Sequence, residues 1–170
     1  MKIIAVRTTV VGAPWRDLTF VELDTDHGLT GVGEVRMVNK TSTLVACIDE
    51  LAPRYVLGTD PFDVERLAWN VQRAEYGRPG EVAMSALSGF DVACWDLMGQ
   101  ALRVPAWKLL GGRFRERVPA YANGWYQAER DPATIAALAQ QVVERGYRGM
   151  KLDPFGAARA ELSAPERRHA

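Results

Sequence analysis

The sequence predicts an α+β fold: a three-stranded antiparallel meander plus a helical bundle, then two strand–helix units of a parallel sheet. Three observations carry this prediction. Polar and apolar residues alternate over 2–38 with two interruptions, apolar residues recur at three- and four-residue spacing over 41–102, and a strand–helix–strand pattern occupies 118–152.

The meander begins with Lys2–Val11, rich in β-branched residues. Gly12–Asp17 (GAPWRD) carries the Gly and Pro of a turn-forming loop, and Leu18–Asp26 alternates again. Asp26, His27 and Gly28 supply a tight turn, and Leu29–Val38 returns as the third strand. Thr41 or Ser42 can cap the next helix, with Leu44, Val45, Ile48 and Leu51 on its apolar face and Pro53 at its end. Asp60 as N-cap and Pro61 at the first helical position open another, whose expected buried stripe is Phe62, Val64, Leu67, Trp69 and Val71. Tyr76–Gly80 breaks the pattern. Glu81–Leu102 is apolar almost all round, through Val82, Met84, Leu87, Phe90, Val92, Trp95, Leu97 and Met98, and is expected at the centre of the domain.

After Leu109–Gly112 the pattern changes, which sets the expected domains at 1–112 and 113–170. Val118–Gly124 reads as a short strand, Asp131-Pro132 starts a helix through Arg145, and Tyr147–Leu152 is a second strand. Strand, helix and strand over ~35 residues make a βαβ unit with a parallel pair.

Composition narrows the function. Basic and acidic residues number 21 each, so no nucleic-acid partner is indicated, and a hydrophobic share of 48% excludes general disorder. No stretch reaches the ~20 apolar residues of a membrane span, so no membrane partner is expected either. MKIIAVRTTVV lacks the apolar core of a signal peptide. Cys47 and Cys94 lie in helical patterns without a CxxC motif, as free thiols of a reducing compartment do. The expected location is the cytoplasm.

The segment Met84–Gly112, MSALSGFDVACWDLMGQALRVPAWKLLGG, is the most specific in the chain. With GVGE at Gly31–Glu34, the Asp60-Pro61 helix and VPAYAN at Val118–Asn123, in that order, it resembles the N-terminal part of enolase-superfamily enzymes of the mandelate racemase/muconate-lactonizing type. The resemblance covers essentially the whole chain. It implies an α+β capping domain followed by the first two βα units of a TIM-like (β/α)7β barrel. It also implies Mg²⁺ in the full-length family, held by three carboxylates on the third, fourth and fifth barrel strands. The chemistry implied is removal of the proton α to a carboxylate, with the developing charge neutralised.

After Gly112 there remain 170 − 112 = 58 residues, against ~200 or more for a whole barrel. The expectation is therefore a barrel truncated after two units, no metal ligand in this chain, and a chain inactive by itself.

Lys151-Leu152-Asp153 stands where the family carries a Lys-x-Lys pair at the end of its second barrel strand. Alternation puts Lys151 and Asp153 on one side of that strand. By the resemblance Lys151 would contact the substrate carboxylate, and Asp153 replaces the lysine base of racemases and lactonizing enzymes. The plain alternative makes Lys151 a solvated strand-end charge and Asp153 a turn cap before Pro154. The KLDPFG pattern resembles the sugar-acid dehydratase branch, in which a later His supplies acid/base function and the β-hydroxyl leaves as water.

GAPWRD occupies the place of the family's lid, so Trp15 and Arg16 are candidate substrate-binding residues, Arg16 by bidentate pairing with a carboxylate. Asn123 is a candidate for binding a substrate hydroxyl. Glu34 and Asn39-Lys40 lie at a second family-typical edge of the site. Each of these has an ordinary surface or structural role as its alternative. Asp91 and Asp96 are expected to hydrogen-bond within the fold. His27 and His169 have no metal-ligand spacing, and Gly111-Gly112 is a turn and not a phosphate loop.

The sequence reading is thus the N-terminal portion of a Mg-dependent lyase of carbohydrate-acid catabolism, an aldonate dehydratase, with a small sugar acid as its partner molecule. A racemase or cycloisomerase (an isomerase) of the same superfamily, or a non-catalytic capping-domain fragment, are the alternatives. Family members are often symmetric homo-oligomers, and no interface is legible.

Overall fold

A computed structural model of the chain describes residues 1–14, 16–74, 76–127 and 131–154. The chain divides into two compact units, Met1–Arg113 and Phe114–Ala170.

In the first unit, β1 (Ile3–Ala13), β2 (Arg16–Thr25) and β3 (Thr30–Val35) form an antiparallel sheet in the order β1-β2-β3. The period of two sends Thr19, Val21, Leu23 and Thr25 of β2 inward, beside Gly31, Gly33 and Val35 of β3. The outer face is polar at one end. There Arg7 bonds Glu22 and forks onto Asp24, and Asp24 also accepts the Thr30 hydroxyl hydrogen at 2.8 Å. At the β2–β3 turn Gly28 has φ +74°, and Thr25 Oγ1 accepts the Leu29 N–H at 3.2 Å.

The strands differ from the sequence expectation at their ends. Most of the loop expected over Gly12–Asp17 is strand, since Gly12 pairs with Asp17 and Ala13 with Arg16. Trp15 lies outside the described residues. β3 ends at Val35, not at Val38, because the chain leaves β2 there to start the first helix.

The helices are α1 (Thr41–Leu51), α2 (Val64–Ala74), α3 (Glu81–Leu102) and the short α4 (Ala106–Leu109). Lys40 is the N-cap of α1, and its side chain makes no capping bond. Thr41, expected as the cap, instead donates its hydroxyl hydrogen to Asp17 Oδ2 at 2.9 Å. Pro53 does not stop the chain's helical path. Ala52–Val56 forms a π-helical turn, whose wider spacing accommodates a residue without an N–H. Asp60 accepts the Phe62 N–H at 3.0 Å, but this closes a turn, and α2 starts only at Val64. Of the expected stripe Val64, Leu67 and Val71 are buried, while Phe62 and Trp69 face solvent, Trp69 beneath the Arg73 guanidinium at 4.4 Å.

Helix α3 runs over its predicted span and crosses the inner face of the sheet. Leu87, Phe90, Ala93, Cys94, Leu97 and Met98 are buried in the core, with Val21, Leu23, Leu44 and Ile48 among their company. Met84 and Val92 are exposed and Trp95 is half-buried, so the helix is covered on its sheet and helix sides and not all round. Asp96 has a structural part. Its Oδ2 accepts the Val32 N–H at 2.9 Å on the free edge of β3, and Gln100 Nε2 donates to the Thr30 carbonyl at 2.8 Å.

In the second unit α5 (Pro132–Glu144) is capped by Asp131, whose carboxylate accepts from the N–H groups of Ala133 and Thr134, each at 3.0 Å. Gly146, at φ +87°, ends it. The two expected strands are reduced, among the described residues, to one parallel bridge between Ala122 and Met150. A lone parallel pair has too few ladder bonds to extend into regular strands.

Candidate substrate-binding site

Each unit carries candidate groups. In the first, the last β2–β3 pair is Thr19 with Val35, while β2 continues back to Arg16 against β1. Residues 36–39 therefore peel away and open a notch of about 380 Å³, lined among others by Arg16, Asp17, Arg36, Asn39 and Thr41. Arg16 is half-buried and Arg36 exposed. Asp17 is occupied by the Thr41 hydroxyl, and Asn39 is held at φ +58°. Of the expected residues, then, Arg16 and Asn39 meet at this notch, and Glu34 does not line it. The glycines of GVGE serve helix packing.

In the second unit the bridge is built by two bonds, Ala122 N–H to the Gly149 carbonyl at 3.0 Å and Lys151 N–H to the Ala122 carbonyl at 2.9 Å. A Cβ on Gly149 would lie 3.4 Å from Tyr121 Cβ, so positions 121 and 149 share a side. Alternation about the bridge carries positions 123 and 151 onto that same side, while Asp153 lies beyond the bridge. Asn123 and Lys151 are exposed and Asp153 is half-buried. Asn123 Oδ1 accepts the Gly124 N–H at 3.0 Å, which orients the amide. Trp125 donates its indole N–H to the Lys151 carbonyl at 2.8 Å and meets Tyr126 edge to face at 5.5 Å. The bridge thus offers an ammonium and an amide on one side, at Lys151 and Asn123.

Sequence reasoning missed Arg36 and Trp125. Arg36 was within reach, because strand alternation continued past Glu34 puts it at the same edge as the lid loop. Nothing in the spacing marks Trp125, whose role comes from the turn after Gly124.

A divalent cation is implied by the resemblance. Among the described residues no three His, Cys, Asp or Glu side chains stand together as a possible metal site. The described groups do not fit the metal, and no step is routed through it. Among the described residues no helix is long and apolar enough to cross a membrane.

A three-stranded meander packed on a central helix, with a polar notch at its hairpin end, defines a capping domain of enolase-superfamily type. The chain belongs to the mandelate racemase / muconate lactonizing enzyme family, whose N-terminal domain model matches residues 3–111. It is 38% identical over 152 residues to a D-gluconate dehydratase of Thermoproteus tenax, covering 88% of this chain and 30% of the relative. It is 35% identical over 155 residues to a D-galactonate dehydratase of Klebsiella pneumoniae (strain 342), covering 91% of this chain and 37% of the relative. Among solved structures, a mandelate racemase/muconate lactonizing enzyme from Jannaschia sp. CCS1 superposes with a TM-score of 0.83 at 30% identity, over 92% of this chain and 44% of that one. The chain thus spans about a third of the length of these curated relatives.

Proposed function

We propose that this chain is the capping domain and first two βα units of a sugar-acid dehydratase, a lyase acting on an aldonate or related polyhydroxy acid. What supports the proposal is the parallel bridge between Ala122 and Met150, about which alternation puts positions 123 and 151 on one side, in a chain whose curated relatives include D-gluconate and D-galactonate dehydratases. In the reaction the C2 proton and the C3 hydroxyl leave together as water. The resulting enol becomes the 2-keto-3-deoxy acid. The C2 proton is weakly acidic, so the negative charge gathering on the carboxylate must be met by fixed positive charge. Lys151 supplies such a charge, Asn123 holds a substrate hydroxyl, and Arg16, with Trp15 beside it in the chain, binds substrate from the lid. Asp153 stands in place of a lysine base, which favours dehydration over racemisation. Mg²⁺ belongs to the carboxylates of later strands, outside these 170 residues.

The test has two arms. The purified chain with D-gluconate or D-galactonate and Mg²⁺ is expected to form no 2-keto-3-deoxy acid. A protein in which the chain continues through the remaining barrel strands is expected to form it, and Lys151→Met there should lower kcat/KM by about 10²–10³-fold. Turnover by the 170-residue chain, or a longer protein indifferent to Lys151→Met, would contradict the proposal.

A further inference from the structure

We infer that the cavity between Pro119-Ala120 and the Arg145–Arg148 turn binds a phosphate dianion, free or at the end of a small monoester. This goes beyond the dehydratase reading and does not rest on it.

The cavity, of about 370 Å³, is lined by Pro119, Ala120, Arg145, Gly146, Tyr147 and Arg148, all of the second unit. Its volume lies within the range of small-molecule pockets, ~300–1,000 Å³. The turn that shapes it starts at Gly146, whose φ of +87° ends α5 and whose N–H donates to the Val143 carbonyl at 2.8 Å. Both lining segments precede the bridge residues Ala122 and Met150, so the cavity lies at the start of the bridge, and positions 123 and 151 follow it. Pro119, Ala120 and Tyr147 supply apolar surface, and the two arginines are exposed, open to a ligand arriving from solvent.

Charge decides what enters. No acidic residue lines the cavity. Glu144, next to the turn, accepts from Gln140 Nε2 at 3.2 Å and is not in the lining. Other arginines are engaged: Arg7 forks onto Asp24, Arg54 and Arg66 reach Glu50 and Asp63, and Arg73 lies over Trp69. Among the described residues Arg145 and Arg148 have no ion pair and no ring contact. The C-terminal end of α5 opposes an anion with about half a negative charge, against two full positive ones. A guanidinium only donates, so the matching ligand is an oxyanion that only accepts. A phosphate monoester carries about −1.5 to −2 charges near neutral pH and three terminal oxygens, enough for both forks. A carboxylate or a phosphate diester carries one charge and leaves a fork unmatched.

The experiment titrates the 170-residue chain with glycerol 2-phosphate, inorganic phosphate, dimethyl phosphate and acetate at constant ionic strength. NMR follows the arginine Nε–H signals and the amides of residues 145–148. Glycerol 2-phosphate and inorganic phosphate are expected to bind about tenfold more tightly than dimethyl phosphate or acetate, as a second charge-assisted pair allows. Tighter binding of the ester assigns the cavity to a monoester, and tighter binding of the inorganic ion to free phosphate; either supports the inference. Arg145→Gln and Arg148→Gln should each remove most of the preference. Arg117→Gln, exposed and outside the lining, should leave it intact. Unchanged amide signals at Ala122, Gly149 and Lys151 show that a variant keeps the bridge. Where a variant disturbs them, the comparison of ligands on the unaltered chain still decides. Equal affinity for all four anions, no response at residues 145–148, or a phosphate preference that survives both glutamine variants would overturn the inference.

Discussion

Gly33 and the Gly89 carbonyl meet backbone to backbone: a Cβ on Gly33 would stand 2.3 Å from that oxygen. One turn along α3, Gly31 meets the Ala93 carbonyl in the same way, also at 2.3 Å. The helix therefore lies on β3 closer than any side chain permits. Gly33→Ala must push α3 off the sheet, and is expected to destabilise the chain by about 1–3 kcal/mol or more in urea unfolding. Gly12, with open space around its Cβ position, is the control, and Gly12→Ala should shift stability by less than about 0.5 kcal/mol.

Phe90 and Trp95 sit on the same helix and should answer differently. Phe90 is fully buried, and Phe90→Ala should cost about 3–5 kcal/mol. Trp95 packs against the core while half-exposed, so Trp95→Ala should cost clearly less, about 1–3 kcal/mol. Equal losses in chemical denaturation would mean that α3 is covered on more sides than described.

Asp91 gives a pH signature. Burial, then repulsion from Glu65, raises its carboxyl above the ordinary range, and a hydrogen bond with Trp95 opposes them. A group whose pKa rises on folding contributes stability that is complete below the unfolded value of about 3.9 and is lost as pH climbs through the folded one. Asp91→Asn cannot ionise and keeps an acceptor for Trp95. Its urea midpoint should exceed that of the unaltered chain at pH 7 and coincide with it near the acid end.

The two thiols should separate by reactivity. Cys94 is buried, and burial, with Asp91 and Asp60 adding repulsion, pushes its pKa up to about 12. Cys47 is half-buried. A thiol-specific disulfide reagent on the native chain should label Cys47 first, and Cys94 only on unfolding.

The meander and the span of α3 were legible because both depend on periodicity, which short-range packing enforces. What failed lay at ends and punctuation. Pro53 read as a stop, yet a π turn absorbs its missing N–H. Asp60-Pro61 carried the signature of a helix start, but the Asp60 side chain closes a turn onto Phe62, and α2 begins only at Val64. Thr41 had cap chemistry and spends it on Asp17, a partner 24 residues away that no local pattern announces. The candidate site was half legible for the same reason. Arg16 and Asn39 were singled out one by one, but their meeting at one notch follows from where β3 parts from β2. That is a matter of register between strands.

The bonds from Asp96 and Gln100 to β3 have a consequence for assembly. The outer edge of an edge strand is a template on which a foreign strand can add, and here side chains of α3 already occupy the Val32 N–H and the Thr30 carbonyl. At these two groups the edge cannot accept a foreign strand unless the bonds from α3 break first. Sequences that drift at Asp96 would lose this seal while keeping every apolar contact of the core. Their defect would be a tendency to recruit neighbours edge to edge, and not a loss of fold.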